Sequence, residues 1–227
     1  MAHPPVVVTD VRNENPRPGS TTDAHQDGLL HRIVHVEIVD WTGRYLISKR
    51  ENGQYEIIGG HVDWLEKLDR AETSEEACLR ETAEETRMIP TKYTPQELET
   101  AKEELRRLAN PRPVAIDVNQ LPSSHGNNNE HVVVYRLTFP DDLKKRLTSV
   151  GDHGGTTEWL TEAEIVERAA QPQNRMRINA ALRLFLRRRG VVVPLKLEFE
   201  TEQQKPTVAG FGGYECVIRK KRDAGTH

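Results

Sequence analysis

Glu81, Glu84 and Glu85 stand at positions i, i+3 and i+4. On a helix, at about 100° per residue, they share one face within an arc of about 100°. Like charges so placed repel, each pair costing roughly 0.2–0.5 kcal/mol. A bound divalent cation reverses that sign, and carboxylate oxygens are the hard donors that Mg²⁺ or Mn²⁺ prefers. A rigid helix would also hold such ligands at fixed spacing. A plainer reading stands beside this one. Glutamate-rich helices are common, and Arg80 and Arg87 could neutralise the face through pairs within the helix.

The surrounding residues predict that helix and what positions it. Thr73 with Glu76 three residues on forms a capping box, the helix runs to about Arg87, and Pro90 marks its end. The β-branched run Ile33, Val34, Val36, Ile38, Val39 predicts a strand, and Tyr45 to Ser48 predicts its return after a turn at residues 41–44. A further turn leads to Tyr55–Gly60. Thr94, Pro95 and Glu97 open a second helix to about Ala109. Strands are expected at 114–118 and 131–139, with a loop at 123–129. Thr161 with Glu164 caps a short helix, residues 174–189 are amphipathic, and Gly190 ends them. A strand at 191–199 and a short one at 214–218 complete the pattern. The domain is set at residues 29–190, between a mobile arm at 1–28, in which Val6 to Val8 could add an edge strand, and a C-terminal strand and tail at 191–227. Strands joined mostly by hairpins and mixed with helices make the class α+β.

Composition narrows the field. The 227 residues are 36% hydrophobic and 30% charged with a net charge of −3, a polar but globular balance without the basic excess of a nucleic-acid binder. The basic runs at 187–189 and 219–222 read as solvated faces more readily than as an RNA site. Two cysteines, Cys78 and Cys216, are too few for a disulfide framework and lack zinc spacing. No apolar stretch reaches the roughly 18 residues of a membrane span, and the N-terminus does not read as a signal peptide, so a cytoplasmic location is the expectation.

The segment Glu72, seven residues, then Arg80-Glu81-Thr82-Ala83-Glu84-Glu85-Thr86-Arg87-Met88 resembles the second half of the Nudix hydrolase signature, G-x5-E-x7-R-E-U-x-E-E-x-G-U, with U a bulky apolar residue. Gly59 to Asp63 is similar to its glycine-rich entrance, and the resemblance spans roughly residues 29–190. It implies a Nudix-like α/β/α sandwich on a mixed sheet. It also implies cleavage of a small diphosphate substrate, with Mg²⁺, or Mn²⁺ in its place, on Glu81, Glu84 and Glu85. Arg80 would orient a glutamate of the site, and Gly60, Glu72 and Trp64 would lie toward the substrate. Three departures are visible. Arg87 replaces the signature glycine, Thr82 is less apolar than usual, and Glu66 lies thirteen residues before Arg80 instead of seven, a six-residue expansion that leaves Glu72 with the right spacing. For the general base, which varies in the family, Asp152, His153 and Glu158 are candidates. The helix at 94–109 could shape specificity or a homodimer contact.

His31-Arg32-Ile33-Val34-His35-Val36 is similar to the first strand of the isopentenyl-diphosphate-isomerase-like branch. That branch uses a cysteine before the glutamate helix, whereas Cys78 lies within it, where a small core residue is expected. A Nudix-fold binding module without catalysis would usually have lost one of the three glutamates. His31, His35 and His61 could contact metal or substrate, and Trp64 could stack on a base. Replacing Cys78 and Cys216 together by alanine should leave diphosphate hydrolysis largely intact. An assay for interconversion of isopentenyl and dimethylallyl diphosphate should find none; isomerisation that disappears in the double variant would make this an isomerase.

Overall fold

The computed structural model describes residues 4–10, 12–51, 53–123, 126–147, 156–171 and 178–191. The expected strands beyond Val191, and Asp152 and His153, lie outside them.

Strand β3 (His31–Asp40) is the axis of a mixed sheet. Along one edge it pairs in parallel with β10 (Gly126–Phe139), from His31↔Glu130 to Asp40↔Phe139. Its other edge is shared by three short antiparallel partners: β1 (Val6–Val8), β6 (Ile58–His61) and β4 (Tyr45–Lys49). Beyond β10 lies β9 (Arg112–Ser123), and β11 (Thr156–Leu160) and β5 (Tyr55–Glu56) pair with β4. The β9–β10 pairing continues to Ser123↔Gly126, so most of the loop expected at 123–129 is strand.

Side chains of a strand alternate between faces. Val36 and Ile38 of β3 and Leu137 and Phe139 of β10 therefore meet helix α2 (Ser74–Glu85) and helix α3 (Pro95–Ala109), through Cys78, Leu79, Ala83, Ala101 and Leu105. On the opposite face Val39, Tyr45 and Ile47 meet helix α5 (Glu162–Ala170) and helix α6 (Ala180–Arg187), through Ile165, Leu182, Phe185 and Leu186. Two apolar layers on one sheet give the α/β/α sandwich of an α+β protein.

Residues 4–28 are more than an arm. Val6, Val7 and Val8 are at most 2% exposed. β1 pairs with both β3 and β2 (Arg17–Gly19), and helix α1 (Thr21–Gln26) follows, capped by Ser20. Three adjacent β-branched residues can be buried because the chain is covered on both sides and its amides are used: Val7 N–H donates to the Val62 carbonyl at 2.9 Å. The expansion after Gly60 folds into a small hairpin, β7 (Trp64–Leu65) and β8 (Arg70–Ala71), turning through a 3-10 segment at Glu66–Leu68 and left-handed Asp69. Helix α4 (Asp141–Arg146), with acids in its first turn and bases in its last, was not anticipated.

Helix α2 begins at the expected capping box, with Thr73 Oγ1 accepting from Glu76 N–H and the Glu76 carboxylate accepting from Thr73 N–H. It ends at Glu85, two residues before the expected Arg87, in a Schellman turn: Met88 N–H donates to the Ala83 carbonyl and Arg87 N–H to the Glu84 carbonyl. Arg87 sits at φ 53°, in the left-handed region. Helix α6 ends in the same turn with Gly190 at φ 75°. Without a Cβ, glycine relieves a strain of roughly 1 kcal/mol. Arg87→Gly should therefore stabilise the protein by up to about 1 kcal/mol. Urea unfolding should show a raised midpoint at unchanged slope; a lowered midpoint would mean that the exposed Arg87 side chain contributes more than its backbone strain costs.

Candidate active site

Arg80 organises the site. Its Nε donates to Glu72 Oε1 at 3.1 Å and Nη2 to Glu72 Oε2 at 3.0 Å, while Nη1 donates to Glu81 Oε1 at 2.7 Å and Glu84 Oε2 at 3.3 Å. Nη2 also donates to the His61 carbonyl at 2.7 Å and lies 3.4 Å from Asp63 Oδ2. One guanidinium, its side chain 12% exposed, thus faces four carboxylates from two pieces of chain, the residues flanking the small hairpin and α2, and a backbone carbonyl from the end of β6.

These pieces meet for local reasons. Asp63 and Glu72 bracket the β7–β8 hairpin and bond each other, Glu72 N–H to the Asp63 carbonyl at 2.8 Å and Asp63 N–H to Glu72 Oε2 at 3.2 Å. The six extra residues therefore loop out and return, leaving Glu72 beside the helix cap. Glu66 is exposed in the 3-10 segment, whereas Glu72 is 5% exposed and committed to Arg80. Expected to lie toward the substrate, Glu72 is instead a buried support. Gly60, half-buried, pairs with Val34 and thus faces α2. A Cβ built on it would overlap the Glu81 carboxylate. Trp64 is half-buried against Val7, Val34, Val62 and Ala77 and is not an open stacking surface.

The charge balance stays acidic. Burial drives the Glu81 carboxyl upward; Arg80 pulls it back, Glu84 and Asp63 push it up again, and it settles at about 7. Burial opposes the Arg80 charge as well, yet Glu81 and Glu72 hold its pKa well above the usual arginine value. Tyr93 donates its hydroxyl to Glu84 Oε1, and the tyrosine pKa is raised by burial and then by that carboxylate. Glu85 is half-buried on the same helix. Four carboxylates around one guanidinium, with Glu85 adjoining, form a hard-oxygen donor set of net negative charge, which suits a divalent cation. The pairs within the helix, Arg80 with Glu81 and with Glu84, do form, but they leave this excess.

Other candidates go elsewhere. Trp159 packs on the α2 side of the sheet, so Glu158, its neighbour on β11, faces the α5–α6 side, where it pairs with Arg168 at 2.7 Å. The buried Cys78 thiol packs among Leu79, Ala83 and Leu105, its pKa raised by burial and by Glu75. The arginines closing α6 are engaged within the fold: Arg187 with Asp117, Arg188 with Glu37 at 2.7 Å, and Arg189 with Glu162 at 2.6 Å. Sequence reasoning missed Asp63 and Tyr93. Asp63 carried a signal, an acid three residues after Gly60, but Tyr93 lies in the α2–α3 connection with no pattern to mark it.

The NUDIX domain family model matches residues 29–180. The chain belongs to the Nudix family. No curated protein matches it in sequence. Among solved structures it is similar to DR0079 of Deinococcus radiodurans, at 20% identity over 81% of this chain and 97% of that one, with a TM-score of 0.51, a likeness of fold. A MutT protein of Methanosarcina mazei Go1 aligns at 17% identity over 70% and 95% of the two chains, TM-score 0.43. An Ap4A hydrolase of C. elegans aligns at 14% identity over 70% and 97%, TM-score 0.40. No helix among the described residues of this Nudix protein is long and apolar enough to cross a membrane.

Gly60 is not in the left-handed region, so alanine fits its backbone and the collision falls on the movable end of Glu81. Gly60→Ala should cost less than about 1 kcal/mol of stability, within the range of ordinary substitutions. It should weaken Mn²⁺ binding, followed by electron paramagnetic resonance, by about tenfold or more. Unchanged Mn²⁺ affinity would show that Glu81 need not sit against Gly60.

Proposed function

We propose that this protein hydrolyses a phosphoanhydride bond in a nucleoside diphosphate-linked or related small molecule, with Mg²⁺ or Mn²⁺ held by Glu81, Glu84 and Glu85. The observation that carries this reading is the single buried guanidinium of Arg80, which gathers the helix glutamates beside a residue with no side chain, inside a matched NUDIX domain. The donor set fits the ion: the oxygens are hard, their charge exceeds that of Arg80, and Gly60 keeps the space before Glu81 clear of a side chain. When bound, the divalent ion would offset the diphosphate charge and make a water nucleophilic at neutral pH.

The chain's own residues prepare for that chemistry. Arg80 is a positioning residue, because its donors fix Glu81 and Glu84 while Glu72 and the His61 carbonyl anchor Arg80 itself. Tyr93 holds one oxygen of Glu84, leaving Glu84 Oε2 toward Arg80. Such support restricts the carboxylates before any ligand arrives, so less ordering has to be supplied on binding. Cysteine acid–base chemistry on an isoprenoid double bond has no support, since Cys78 is fully buried in the α2–α3 core.

Glu85→Gln removes one charged donor while keeping the shape of the half-buried side chain. In a screen of diphosphate compounds with Mg²⁺, turnover should fall about 100-fold or more, equivalent to about 2.7 kcal/mol of barrier. Thermal stability should hold or rise slightly as repulsion on the helix face is relieved. Near-normal turnover in the folded variant would remove Glu85 from the site.

A further inference from the structure

Strand β9 is the outer strand of the sheet, pairing with β10 and with no other described strand. An open edge recruits further strands, so natural edges are commonly guarded by charge, proline or a bulge. β9 is guarded toward both ends and open between. Pro113 has no N–H to offer, and Val114 is passed over in the register, since Pro113 pairs with Tyr135 and Ala115 with Val134. Further along, Val118 N–H donates to Asp117 Oδ1 at 2.8 Å, and Arg187 Nη2 donates to the Val118 carbonyl at 3.2 Å. The backbone groups of Val118 therefore point outward, away from β10, and are capped by side chains of this chain. Outward groups recur every second residue of an antiparallel ladder, so Ile116 presents its N–H and carbonyl along the same edge.

The side chains at this opening are apolar and uncovered. Of five large hydrophobic residues exposed among the described residues, three belong to β9: Ile116 at 71%, Val118 at 46% and Val114 at 39%. A single exposed hydrophobic residue needs no explanation, but a run of them along one strand does. Ile116 and Val118 pair with Val133 and His131, and so lie on the face of the sheet that carries α2 and α3. Helix α3, which the sequence offered as a homodimer contact, exposes the polar residues Gln96, Glu99, Thr100, Glu103 and Arg107. The apolar surface is on β9 instead.

We propose that a second copy of this chain covers the strip, joined through β9 about a two-fold axis at Ile116. The segment Val114-Ala115-Ile116-Asp117-Val118 carries β-branched apolar residues symmetrically about its centre, and an interface between copies about a two-fold axis must be self-complementary. Ile116 and the partner's Ile116 would exchange two backbone hydrogen bonds, and Val118 would come toward the partner's Val114. The bulge and the capped Val118 end the ladder there, so the association is short and reversible. The charges fit as well. Asp117 alternates to the other face of β9, where it pairs with Arg187, whose side chain is 55% exposed. About this axis the two copies of Asp117 are diagonal neighbours, roughly 7–8 Å apart. Each Arg187 then lies beside two carboxylates, and the four charges across the axis sum to zero. The antiparallel run also keeps the exposed Arg112 of the two copies at opposite ends of the contact.

Sedimentation of the full chain over a concentration series should show a monomer–dimer equilibrium. Ile116→Lys sets two like charges directly opposite each other and should weaken that equilibrium by at least about tenfold. A monomer mass at every concentration up to about 0.5 mM, where even submillimolar association would register, overturns the proposal and leaves the strip to some other partner. A dimer untouched by Ile116→Lys also overturns it, by placing the contact elsewhere. Cross-linking fixes the register in a Cys78→Ala, Cys216→Ala background. Directly opposed residues of a hydrogen-bonded antiparallel pair have Cα atoms about 5.5 Å apart, within disulfide reach, so Ile116→Cys should form a disulfide dimer in a mildly oxidising buffer. Val118→Cys stands about 13 Å along the strand from its own copy and should not. Equal cross-linking of the two variants, or none in either, refutes the axis at Ile116. None of these outcomes depends on diphosphate hydrolysis.

Discussion

A buried guanidinium is costly unless carboxylates surround it, and carboxylates crowded together are costly unless a cation lies among them. Arg80 and its four acidic neighbours meet both conditions at once, and much of the local structure follows from that mutual need. Asp63 and Glu72 must lie on either side of a closed hairpin, the end of β6 must bring the His61 carbonyl within 2.7 Å, and α2 must start at Thr73 so that residues 80, 81 and 84 arrive together. Truncating Arg80 would leave uncompensated buried charge, a change that typically costs roughly 3–5 kcal/mol. The site is therefore part of what holds the hairpin and the helix together.

The sheet divides the chemistry. Because side chains alternate along a strand, Gly60 faces α2 while His61, the next residue, faces the opposite side. Hard carboxylates gather on one face and imidazoles on the other, with one residue's backbone and side chain contributing to both. The sheet also bears a structural charge network. Glu37, 1% exposed, receives Arg136 at 2.6 Å and Arg188 at 2.7 Å, with Arg189 3.6 Å away. The basic end of α6 is thus turned inward onto the parallel pair β3–β10 and does not form a free cationic surface.

Several elements could be read from the residues because their causes are local. The capping boxes at Thr73, Thr94 and Thr161 each form as their spacing requires, and they fix where α2, α3 and α5 begin. The strands at β3 and β10 follow from β-branched runs and β4 from the turn before it, and the left-handed residue after α2 falls at the signature glycine position that Arg87 occupies. The glutamate face, Arg80 and the spacing of Glu72 were equally visible, since a helix converts sequence distance into angle.

What the sequence could not decide depended on groups far apart in the chain. Val6 to Val8 become a buried strand only because Val62 and the start of β3 lie beside them, an arrangement with no trace in the composition of residues 1–28. Tyr93 reaches Glu84, and His25 meets His31 and His61, through packing of a connection and a short helix that carry no periodic signal. The sequence by itself determined the helix, its acidic face, the α+β class and the family likeness, all of which rest on period and spacing. The tertiary structure alone decided that Arg80 is shared among four carboxylates, that Glu72 supports the site from within, and that the histidines stand behind the sheet, because burial and charge pairing are set by which surfaces close against each other.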